Sequence, residues 1–418
     1  MKKLVVCATS LFTLCLMFTP RPSQAAPGGT NILEAYLETG RIAEGRQAVE
    51  DALKTNPQDD GLRFQLAVAQ LLTGVERLSQ DWYRYGMHNS PLGQMVPFLR
   101  LPVPLNPHPE RITDKKARKV LEDFVVQLGE VSATLSAIKD DSTMKVPLKI
   151  GLVRLDLDGD GKATDEETLW RIYARLNPVR QVTPEQAKAF VIAFDVGDAR
   201  WLEGYCHLLS ALGEMVLAYD TSQLFSHTAQ MFFTDPDTPY DFLRAPPGEP
   251  RGRFEFGDIA DAVAFVHLLN FPLKEPHRMQ AALSHLQQVT TLNRRSWKDI
   301  MAEKDDDNEW IPSPTQTGVL PGSKVTQEMV DGWLKFLDES DSMLAGKTLA
   351  PFWRETPGRG VNLRRVFTEP APFDLVLWVQ GTGAAPYLEK GTVTDPEFWR
   401  MINRVFRGEF LHFAIWFN

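Results

Sequence analysis

Residues 156 to 167 read DLDGDGKATDEE, with Asp156, Asp158 and Asp160 on alternate positions, Gly161 next, and Glu167 closing a run of twelve. This is oxygen chemistry for a hard cation. Calcium takes six to eight oxygens, and a tight loop supplies carboxylates from its first, third and fifth positions. On this reading Lys162 gives its backbone carbonyl, Thr164 acts through a water, and Glu167 binds with both oxygens. Gly161 provides the sharp turn, because without a Cβ it reaches positive φ freely. The competing reading is a solvated acidic turn. Four carboxylates packed into so short a loop repel one another unless a cation sits among them, so calcium is the expected cofactor.

The residues around the loop must hold it open. Thr164 and Glu167 have the spacing of a capping box, and Leu169, Ile172, Tyr173 and Leu176 keep one face of an exit helix apolar. The incoming segment VPLKIGLVRL stays open between two patterns: Leu148, Leu152 and Leu155 suit a helix, whereas Leu148, Ile150 and Leu152 suit a strand. Over residues 156 to 176 the chain resembles the EF-hand family. The family carries Ile, Val or Leu where this chain has Ala163, to bridge to a partner loop, and no second loop of equal quality follows. The expectation is therefore a solitary structural site. At an affinity of about 10⁻⁵ to 10⁻³ M it would stay filled outside cells and act as a staple.

Two other constellations could do chemistry. The stretch EKDDDNEWIPSP sets Asp305, Asp306, Asp307 and Glu309 beside Trp310, but it lacks the glycine and the spaced closing glutamate, so an exposed charged turn is the default and a second cation the alternative. A helix from about 198 to 220 shows Leu202, Tyr205, Leu209, Leu212, Val216 and Tyr219 on one side, with Arg200, Glu203, His207, Ser210 and Glu214 opposite. Glu203, His207 and Glu214 could form an acid/base or metal site, while an ordinary amphipathic helix shows the same polar side. Cys206 at the edge of the apolar side reads as a small buried hydrophobe. No GxSxG elbow, HExxH pair, phosphate loop or dinucleotide fingerprint is present, which leans against an enzyme.

Lys2 and Lys3 precede an apolar run from Leu4 to Phe18, followed by prolines and the ending Ser23, Gln24, Ala25. This is the pattern of a secretory signal peptide over 1–25, cleaved near Ala25. The run is short against the roughly 20 residues that span a bilayer, so no stable membrane anchor is expected. No small residue precedes Cys7 or Cys15, so neither is a lipidation site. The segment carries three cations and no acid, so cleavage moves the formal charge from −9 to −12. An acidic chain without a basic block offers nothing to nucleic acid or anionic lipid. Cleavage also leaves Cys206 alone, so the core, with no internal disulfide, must hold the mature protein together. A periplasmic or secreted location follows.

From residue 30 to 85 the pattern is helix, turn, helix, proline, helix. Gly40 and Gly74 each close an apolar helical pattern and stand one tetratricopeptide period apart, with Pro57 between them. This segment resembles the tetratricopeptide family at Tyr36, Ala52 and Pro57, and departs from it at Leu33 and Gly45. The resemblance implies a concave face for a peptide or protein partner. The plainer reading is a helical hairpin used as packing. Residues 86–112 are proline-rich and are expected to run extended over the surface as a linker. A helical region, 113–231, then carries the loop. Residues 254–418 read as helices followed by a small α+β end, with VNLRRVF, FDLVLWVQG and GEFLHFAIWFN as candidate strands. The expected fold class is mainly α. The expected function is a calcium-binding scaffold or interaction protein of a bacterial cell envelope, and the alternative is a helical envelope enzyme using Glu203, His207 and Glu214.

Overall fold

The computed structural model describes residues 31–88, 90, 93, 97–176, 183–244, 256–319, 324–354, 358–408, 410, 413 and 414. The expected signal segment lies outside them. The fold is mainly α: helices dominate, and the sheets among the described residues are two-stranded.

The N-terminal part is built from α1 (Glu34–Glu38), α2 (Ile42–Thr55) and α3 (Asp60–Arg84). Gly40 ends α1 at φ +70°, as its position predicts. Gly74 does not end a helix. Asp59 caps α3 by accepting from the Leu62 N–H, and the helix then runs through Gly74 for 25 residues. What Gly74 provides is proximity: a Cβ there would lie 2.7 Å from Cγ of Gln127 on α4 (Asp114–Leu135), so the glycine lets the two helices close on each other. The proline-rich segment also differs from expectation. Its described part is buried at Phe98, Leu101, Val103 and Ile112, and the Trp82 indole donates to the Phe98 carbonyl at 2.8 Å. Prolines keep an α-helix out, leaving a single 3₁₀ turn at Pro97–Leu99, but they do not stop the apolar residues between them from entering the core.

The middle opens with β1 (Val146–Leu148), a single 3₁₀ turn and the acidic loop, followed by α5 (Leu169–Leu176) and α6 (Pro184–Ala189). The incoming segment follows neither pattern throughout: Val146–Leu148 is a strand paired antiparallel with β2 (Ile192–Phe194), and Ile150–Leu152 is the 3₁₀ turn. Then comes α7 (Val196–Leu217), capped by Asp195, and α8 (Ser222–Thr228). The C-terminal part holds α9 (Phe256–His267), β3 (Asn270–Phe271), α10 (Pro276–Ile300) and α11 (Gln327–Leu344). It continues with β4 (Arg359–Val361), α12 (Leu363–Thr368), β5 (Phe373–Asp374), α13 (Leu375–Gln380), β6 (Leu388–Lys390) and α14 (Pro396–Val405). Two of the candidate strands are therefore mostly helix. In VNLRRVF, Asn362 accepts from the Arg365 N–H and starts α12; in FDLVLWVQG, Asp374 accepts from the Leu377 N–H and starts α13. An N-cap at the right place outweighs the strand preference of a few β-branched residues. Of GEFLHFAIWFN only Gly408, Phe410, Phe413 and Ala414 are described, and Phe413 is buried against Trp297 and Trp333.

Helix α7 is the centre, packed between α4 and α10. Both of its sides are consequently covered. Arg200, Glu203 and Ser210, on the side expected to be polar and open, are buried. Arg200 is held by donating to the Ile138 carbonyl at 2.7 Å and to Asp140 at 3.0 Å. The largest apolar cluster joins residues from α1 to α8 in one continuous core, so the N-terminal helices and the middle form one packed body.

Candidate functional site

The acidic loop folds around its own backbone. Asp156 accepts from the N–H groups of Gly159 (2.8 Å) and Gly161 (3.0 Å), Asp158 from Asp160 (3.1 Å), and Asp160 from Lys162 (2.8 Å). Gly159 and Gly161 take φ +76° and +81°, the left-handed region that only glycine enters without strain. Glu167 reaches back across the loop: one oxygen accepts from the Leu157 N–H at 2.9 Å, the other from the N–H and hydroxyl of Thr164, both at 2.8 Å. The capping box expected from sequence is thus formed.

These contacts bring ligand oxygens of Asp156, Asp158 and Glu167 within 4.8 Å of one another. Asp160 is not part of that cluster. The Thr164 hydroxyl serves the capping box, and the Lys162 N–H is bound to Asp160. Burial, with Glu167, Asp160 and Asp156 close by, holds the Asp158 carboxyl above the usual carboxylate range. The donors are all hard oxygens, carboxylates in the majority, which suits calcium better than a soft or nitrogen-seeking metal.

The loop is docked on helices that the sequence did not point to. Glu76, Ser79 and Gln80, one polar stripe on α3, each take a loop backbone group. Glu76 accepts from the Asp156 N–H at 2.9 Å, Ser79 donates to the Leu157 carbonyl at 3.0 Å, and Gln80 donates to the Asp156 carbonyl at 2.8 Å. Glu76 lies beside the cluster and is pushed up to about 7, first by burial and then by the charges of Asp156 and Glu167. The i, i+3, i+4 spacing puts these three residues on one face of α3, but other charged residues such as Arg77, Asp81 and Arg84 on the same helix leave that face without a distinct mark in the sequence. On the other side the Arg154 N–H donates to Leu37 at 3.0 Å, and Lys149 bridges Glu34 and Glu38 on α1. The loop closes on itself through the Arg154–Thr168 bridge.

No protein-family model matches this chain, and no curated protein or solved structure matches it significantly. Its functional reading therefore rests on its own residues.

Glu203, His207 and Glu214 do not form one site. Glu203 lies 3.8 Å from Arg200, and Glu214 pairs with Arg278 at 2.9 Å. His207 meets His285 of α10, Nδ1 to Nδ1, at 2.8 Å. Helix α10 packs along the side of α7 that a lone helix would show to water and supplies the partners of His207 and Glu214, whereas Glu203 has Arg200 of its own helix nearby. Burial lowers His207 to about 4, with His285 adding to the shift, and raises Glu203 to about 7. Cys206 is fully buried, and burial pushes its thiol far above the ordinary range.

The other acidic stretch is divided. Asp305 and Asp307 pair with Lys145, while Glu309 turns inward to join Asp195 and Glu303, with ligand oxygens within 4.8 Å. The buried Asp198 lies beside them and is raised well above the carboxylate range by burial and by Asp195. Glu303 is pushed up to about 9 by burial and by Asp195. A shared proton can therefore relieve this cluster without a cation.

No helix among the described residues is long and apolar enough to cross a membrane.

Proposed function

We propose that this protein is a secreted or periplasmic calcium-binding scaffold in which one ion, held by Asp156, Asp158, Asp160, Glu167, the Lys162 carbonyl and Thr164, fixes the N-terminal helices onto the helical middle. The observation that carries the reading is the docking of the loop: α3 holds its backbone, α1 holds Arg154 just before it, and three of its carboxylates converge. A cation there neutralises charge that the fold otherwise has to crowd together, so binding energy becomes folding energy. An interaction role suits α2, which packs on the core through Ile42, Gly45, Val49, Ala52 and Leu53 and keeps Ala43, Glu44, Gln47, Asp51 and Lys54 exposed to a peptide or protein partner.

The test is thermal unfolding of the mature chain in chelator and in millimolar calcium. The wild type is expected to melt higher with calcium, and Asp158→Asn and Glu167→Gln to lose most of that difference while keeping their helical spectrum. A melting temperature indifferent to calcium in the wild type refutes the proposal.

A further inference from the structure

The apolar clusters of the core do not fuse into one. Where three of them meet lies a cavity of about 750 Å³, walled by Phe98 and Phe232 from the first, Met279 and Phe367 from the second, and Trp378 and Tyr387 from the third. That size is within the usual range for sites that bury a small molecule. The polar groups on the wall are already partnered. Asp114 accepts from Thr221 at 3.3 Å, Arg118 donates to the Tyr219 carbonyl and to Glu275, and Thr228 donates to the Leu224 carbonyl at 2.7 Å. Tyr219 and Tyr387 spend their hydroxyls on the carbonyls of Ala371 and Glu369. A polar molecule would lose its hydration there and find little in return, whereas a hydrocarbon would lose nothing.

The rim points the same way. The pairing of β3 with β5 ties the end of α9 to the start of α13. Each of these helices turns an aromatic ring into the cavity, Phe265 and Trp378, and each also shows apolar residues to the outside. Val263 is 65% exposed and Val379 68%, with Val266 and Val376 about half exposed. A helix apolar on both sides suits the mouth of a lipid site better than open water.

We propose that this cavity binds the long hydrocarbon chain of an amphiphile, an acyl chain admitted between α9 and α13. The inference goes beyond the calcium reading and stands on different residues. Its test is titration of the mature protein with the fluorescent fatty acid cis-parinaric acid, followed by displacement with saturated fatty acids of increasing length. A saturable rise in fluorescence is expected, reversed by palmitate and progressively less well by laurate and octanoate. Ala117→Trp and Ala371→Trp, which place an indole on the cavity wall, are expected to weaken binding about tenfold or more. A second arm offers a parinaroyl phospholipid in vesicles, and uptake from the vesicles identifies a membrane lipid rather than a free fatty acid as the source of the chain. Absence of saturable binding by the wild type overturns the proposal. So does displacement indifferent to chain length, a readout that needs no variant to fold, and so does unchanged affinity in two folded variants.

Discussion

Gly40 and Ala163 meet with no room for another atom: a Cβ added to Gly40 would lie 2.0 Å from the Cβ of Ala163. Ala163 occupies the loop position where an EF-hand would carry a branched residue to reach a partner loop. Here the turn between α1 and α2 is the partner, and the small side chain is what lets it approach. Gly40→Ala meets both the positive φ and this contact, and is expected to cost at least about 2 kcal/mol in denaturant unfolding. Ala163→Ile should cost a similar amount. In a double-mutant cycle Ala163→Gly should recover part of the Gly40→Ala loss; strict additivity would show that the turn does not press on the loop.

The His207–His285 contact makes the fold acid-sensitive. His207 titrates near 4 in the folded protein against 6.5 for the free side chain, so between those values the unfolded chain binds more protons. Stability contributed here is full above about pH 6.5 and is lost as pH falls toward 4. The groups facing His207 are His285, itself lowered by burial, and the Glu214–Arg278 pair beyond it. His207→Gln should flatten the acid limb of the stability–pH curve by about 1–2 kcal/mol, after allowance for partial solvent exposure. An acid limb unchanged in the variant would place the sensitivity elsewhere.

The cluster of Asp195, Asp198, Glu303 and Glu309 has the opposite sign. Glu303 is raised from 4.5 to about 9, so the folded protein holds the extra proton and stability falls as pH rises through that window. In chelator, Glu303→Gln is expected to be more stable than the wild type at about pH 8, on the order of 1 kcal/mol, and to lose the advantage at about pH 4. Destabilisation at the higher pH would mean that the ionised carboxylate is needed there.

Cys206 should be silent. It is fully buried and its thiol is held above the ordinary range, so little thiolate forms near neutral pH. A thiol reagent is expected to modify it only in denaturant. Rapid labelling of the native protein would require an opening of the α7 region that this packing does not predict.

What the sequence disclosed was local. Gly161 at positive φ, the Thr164–Glu167 capping box, the apolar face of α5 and the turn at Gly40 each depend on neighbours a few residues away, and each is present. The mainly α character follows from the same short-range periodicity. What stayed hidden depends on distant chain. Gly74 reads as a helix end but serves a close approach between α3 and α4. Arg200 and Glu203 look solvated on a helical wheel and are buried, because a wheel drawn for α7 contains nothing of α10. Glu76 joins the loop from eighty residues upstream, and Glu309 left its acidic neighbours for Asp195.

On the proposed reading, a divalent ion neutralises the oxygens gathered by Asp156, Asp158 and Glu167. Calorimetric titration of the purified mature chain with calcium tests it most directly. Saturable binding of a single ion in the micromolar to millimolar range is expected, lost in Glu167→Gln. Absence of binding heat together with an unchanged melting temperature at several millimolar calcium would contradict it.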